Sequence, residues 1–115
     1  METALVLHPD GTIVELPLPA DTDERYAEIC RAIGCRLLDV VRLTSKLDMW
    51  IDDEGIYTKP MNPVATALAR RHGYVRQPYF GPVVIASADS EGETINLTRD
   101  QVIGVLRSLE DIASE

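Results

Sequence analysis

The chain has 115 residues, 45% of them hydrophobic, with 19 acidic against 11 basic side chains and a formal net charge of −8. That length fits one domain over residues 1–115, enough to bury about two thirds of its unfolded surface. No apolar run is long enough to span a bilayer, and the start METALVLHPDG lacks the basic region and apolar core of a signal peptide. The expectation is a cytoplasmic protein that neither enters a membrane nor, being acidic, binds nucleic acid directly.

TALVLHPDGTIVELPLP predicts a hairpin of two β-rich runs around Pro9-Asp10-Gly11, with proline presetting the turn and Gly11 free to take positive φ. DTDERYAEICRAIGC predicts a helix capped by Asp21, with Glu24 placed to complete a capping box and Gly34 as the stop. Its apolar stripe is Tyr26, Ile29, Cys30 and Ile33. Cys30 and Cys35 match no zinc or redox motif, and a cytosolic compartment would keep both reduced.

CRLLDVVRLTSKLDMWIDDEGIYTK predicts two or three strands, turning at Ser45-Lys46 and at Asp53-Glu54-Gly55. Alternation sets Leu47, Met49 and Ile51 on an inward face and Asp48, Trp50 and Asp52 on the other. NPVATALARRHG predicts a short helix with Asn62 as N-cap, Pro63 at the first position and Gly73 as stop. PVVIASA reads as a buried strand. LTRDQVIGVLRSLEDIASE reads as a terminal helix with a Thr98–Gln101 capping box and a Val102, Val105, Leu106, Leu109, Ile112 stripe. The order predicts an α+β fold with a single mixed β-sheet in a β-grasp-like arrangement.

Chemical motifs are scarce. Every glycine is isolated, which excludes a phosphate loop. His8 and His72 stand far apart with no cysteine partner, and DDEG and DSEG lack the ligand spacing of a calcium loop. No serine sits in a nucleophile elbow. Neither a metal nor a cofactor is expected. The polar candidates are the Asp48, Trp50, Asp52 face and Asn62, for which helix capping is a sufficient role. The face reads first as a solvated outer sheet surface with Trp50 under the neighbouring helix, and otherwise as carboxylates that could do acid–base work in a cleft.

CRLLDVVRL, DMWIDDEG, MNPVATALA and GPVVIA together resemble a family of small uncharacterised domains found in actinobacteria, phages and other mobile elements. The likeness runs over roughly residues 3 to 110 and is carried by turns and caps. It implies a single domain in a mobile-element or actinobacterial setting, with no activity to carry over. Gly34-Cys35, where a glycine pair is usual, and a long 74–80 loop depart from the pattern.

Charge is the most informative feature. No acid occurs from Gly55 to Ala88, a block that carries +4 against −12 for the rest. Within it Tyr74, Tyr79 and Phe80, three of six aromatics, lie among Arg70, Arg71, His72 and Arg76. Arginine with aromatics is the composition of binding hot spots. The reading is a non-enzymatic binding or accessory protein that contacts a protein partner or a second copy of itself through this stretch. Two alternatives stay open: an acidic mimic or inhibitor of a nucleic-acid-binding protein, and a small enzyme using the Asp48, Trp50, Asp52 face.

Overall fold

Turn and cap residues place most of the elements in a computed structural model that describes residues 2–114. Strands β1 (Ala4–Leu7) and β2 (Ile13–Leu16) form the first hairpin, with Gly11 at φ 91° in the turn. Helix α1 (Thr22–Ile33) begins where the Asp21 carboxylate accepts from the Glu24 N–H and ends at Gly34, φ 72°. Strands β3 (Leu38–Thr44) and β4 (Leu47–Asp52) form the second hairpin, with a register shift between Arg42 and Thr44.

After the Asp53-Glu54 turn the chain makes a one-turn helix, α2 (Gly55–Thr58), in place of a further strand. Helix α3 (Pro63–Arg71) is capped by Asn62, and α4 (Arg99–Ala113) carries both halves of the Thr98–Gln101 box. Between them run β5 (Val83–Ala88) and the two-residue β6 (Thr94–Ile95).

The strands make one sheet in the order β2-β1-β5-β4-β3, with β6 paired to β5. The α+β class and the element order are as the sequence predicts. The sheet is antiparallel at every pairing, so the mixed, β-grasp-like arrangement is corrected. Strands β1 and β4 do run the same way, but β5 lies between them and opposes both. The parallel pair of a mixed sheet therefore never forms.

All six residues of β5 are buried, which explains why Ser87 is its one polar side chain. Val83 and Ile85 pack with Leu5, Leu7, Met49, Leu68 and Leu109 beneath α3 and α4. Val84 and Ala86 pack with Ala4, Val6, Ile29 and Ile33 beneath α1. The sheet thus has helices on both faces. Truncating a β5 side chain such as Ile85 to alanine is expected to cost about 3 kcal/mol.

Among the described residues no helix is long and apolar enough to cross a membrane.

Candidate functional site

Asp48, Trp50 and Asp52 share one face of β4, as alternation requires, and that face lies beneath α1. Trp50 meets Tyr26 edge to face, with ring centroids 5.4 Å apart and planes at 67°. Asp48 is 1% and Asp52 8% exposed, so neither is a solvated surface acid. Each buried carboxylate has a cation. Arg42, directly opposite on β3, reaches Asp48 with Nε at 3.2 Å. The Lys59 ammonium pairs with Asp52 and also donates to the Gly34 carbonyl at 3.0 Å.

Burial pushes the Asp52 carboxyl up. The Lys59 hydrogen bond and the Glu54 backbone N–H outweigh it, and the net direction is down. A general acid at neutral pH needs the opposite shift. This arrangement therefore suits an anchor: Lys59 ties β4 to the end of α1.

Asn62 lies apart from these residues, with 0% exposure. Its Oδ1 accepts from the Ala65 N–H at 3.0 Å. Its Nδ2 donates to the Leu7 carbonyl at 3.0 Å and to the Gly81 carbonyl at 2.9 Å. One amide thus caps α3 and staples it to β1 and to the entry of β5.

The Arg70–Phe80 stretch divides. Arg71 pairs with Asp111 of α4 at 3.8 Å, and His72 lines a hollow beside α4 with Leu47 and Gln101. Arg70 is exposed at the end of α3. Tyr79 is 4% exposed and belongs to the core, and half-buried Phe80 sits beside Asp53 and Ile56. Tyr74 and Arg76 turn instead to the outer edge of β3.

That edge lines two of the surface hollows. The Asp53 N–H donates to the Leu37 carbonyl, which by antiparallel alternation points the backbone groups of Leu38, Val40 and Arg42 away from β4. Two of these groups are already occupied. The Asp39 carboxylate accepts from the Val40 N–H at 2.8 Å, and the Tyr74 hydroxyl donates to the Arg42 carbonyl at 2.6 Å. Such masking blunts an edge that would otherwise pair with any passing strand.

Between Val40–Arg42 and the Gly73–Gln77 segment lies a groove of about 510 Å³. Gln77 and Tyr79 also line a second hollow, of about 230 Å³, beside Asp39 and Asp53, so the two adjoin. Apolar side chains stand open here: Val75 is 60% and Tyr74 39% exposed. One end of the combined groove carries Arg42 and Arg76, and the other Asp39 and Asp53. Sequence reading missed Val75 and Asp39. Val75 gives a signal as an apolar residue inside a polar loop, whereas Asp39 becomes visible only once β3 is known to be an edge.

Some of the acids outside this groove are paired. Glu28, Glu54, Glu93 and Asp111 pair with Arg31, Arg36, Arg25 and Arg71. Among the described residues no cluster of three or more His, Cys, Asp or Glu side chains could hold a metal ion.

A two-face-covered antiparallel sheet with a masked edge and a bipolar groove defines a small α+β domain. Residues 1–110 match the profile of a family described as a domain of unknown function (DUF3846), and the chain belongs to that family. It matches no curated protein and no solved structure.

Proposed function

We propose that the domain is a non-enzymatic binding module that takes an extended segment of a partner protein along the outer edge of β3. The observation that carries this reading is the groove itself, walled by a strand edge on one side and by exposed Tyr74 and Val75 on the other. An extended chain suits such a wall, because its backbone can bond the outward groups of Leu38 and the Val40 carbonyl while alternate side chains enter the groove. Arg42 and Arg76 at one end and Asp39 and Asp53 at the other select direction, favouring a segment with an acidic residue facing the first and a basic residue facing the second. The phage or mobile-element setting implied by the resemblance marks where such a partner is to be sought.

Selection of random unstructured peptides displayed on phage tests the proposal. Enriched sequences are expected to share an acidic and a basic residue separated by apolar positions, and to lose binding to Val75→Asp and Arg76→Glu proteins that remain folded. Enrichment that ignores both substitutions, or no enrichment, would overturn it.

A further inference from the structure

We propose that Cys30 and Cys35 form a reversible thiol–disulfide modification site at the C-terminus of α1. The argument begins with the helix cap. Gly34 is left-handed, and the Cys35 N–H donates to the Cys30 carbonyl at 3.1 Å, the six-to-one hydrogen bond of a Schellman motif. That motif brings the side chains at its two ends together, and the pair meeting there is usually apolar. Here both positions are thiols, and their Sγ atoms lie 3.1 Å apart. Closing to a bond of about 2.0 Å takes a movement of about 1 Å, within the reach of side-chain rotation.

Both residues are free and half-buried, so a small oxidant can reach them while a protein thiol is hindered. The chemistry balances with hydrogen peroxide as oxidant. One of the two sulfurs attacks the peroxide oxygen, giving a sulfenic acid as the O–O bond breaks and water leaves. The other sulfur then attacks the sulfenic sulfur, the S–S bond forms, and a second water departs with the attacking thiol's proton. Two thiols are oxidised and one peroxide is reduced. Burial and the bond to Cys30 push the Cys35 thiol up to about 12. The site adjoins the groove's support, since the Gly34 carbonyl between the two cysteines accepts from Lys59, the partner of Asp52.

The test is exposure of the native protein to micromolar hydrogen peroxide, followed by alkylation and intact-mass measurement. The expected product is a monomer roughly 2 Da lighter with neither thiol alkylated, restored by dithiothreitol. Native closure is expected to be at least about tenfold faster than closure in urea, because the cap pre-positions the sulfurs. Closure no faster than in urea, or a native product that stops at sulfinic acid on one cysteine, overturns the site.

Discussion

Replacing Asn62 separates two explanations of why an asparagine stands before Pro63. If the side chain only caps α3, Asn62→Ala costs about 1 kcal/mol and Asn62→Asp almost nothing, since aspartate is an equally good cap. The geometry demands more. The amide nitrogen also serves the Leu7 and Gly81 carbonyls, both buried. Losing two buried hydrogen bonds adds about 1 kcal/mol each, so Asn62→Ala is expected to cost about 3 kcal/mol. Asn62→Asp keeps the acceptor for the Ala65 N–H but turns a carboxylate oxygen towards two carbonyl oxygens, and is expected to cost at least as much. At about 2.1 cal/mol/K per residue, the unfolding entropy of 115 residues converts that loss to a fall in Tm of about 12 °C. Urea denaturation with calorimetry measures it. An Asn62→Asp protein within about 0.5 kcal/mol of the parent would refute the stapling role.

Three further outcomes follow from Asp52, Gly81 and Tyr74. The folded Asp52 carboxyl lies below its unfolded value, so its stabilisation is complete above about pH 4 and disappears as pH falls through the lower folded value. Asp52→Asn is therefore expected to lose roughly 2 kcal/mol at pH 7 and to show a flatter acid limb in a pH series of urea melts. Gly81, at φ 78°, leaves no room for a Cβ beside the Lys59 side chain, whereas Gly92, at φ 84°, faces open space. Gly81→Ala is expected to cost about 2 kcal/mol or more against about 1 kcal/mol for Gly92→Ala, read as a difference in urea midpoint. Tyr74→Phe uncovers the Arg42 carbonyl and is expected to change stability by less than about 1 kcal/mol while producing concentration-dependent self-association in sedimentation.

Features set by local chemistry could be read in advance. Asp21, Gly34, Asn62 and Thr98 punctuate the helices where their side chains or positive φ act within a few residues. The alternation in β4 correctly divided Met49 and Ile51 from Asp48, Trp50 and Asp52. What alternation cannot reveal is that α1 closes over the polar side, because the cations satisfying Asp48 and Asp52 come from β3 and from Lys59 beyond α2. Helix α2 and strand β6 were hidden by their brevity, one a single turn and the other two residues. The arginine–aromatic stretch was visible as composition. Its division was not: Tyr79 is drawn inward by its backbone N–H bonding the Thr66 hydroxyl, and Tyr74 is fixed by a carbonyl 32 positions away.

The place of β5 governs how the chain can acquire its structure. Strand β1 is held on one side by β2 and on the other by a strand nearly 80 positions later, with Leu5 opposite Ile85 and Thr3 bridged to Leu97. On a ribosome, both hairpins emerge with apolar faces and open edges well before β5 can fill the gap between them. Pairings so distant in sequence form slowly, because loop closure must be met before contact is gained. A nascent chain stalled before Val83 is accordingly the form most exposed to aggregation and most dependent on chaperones.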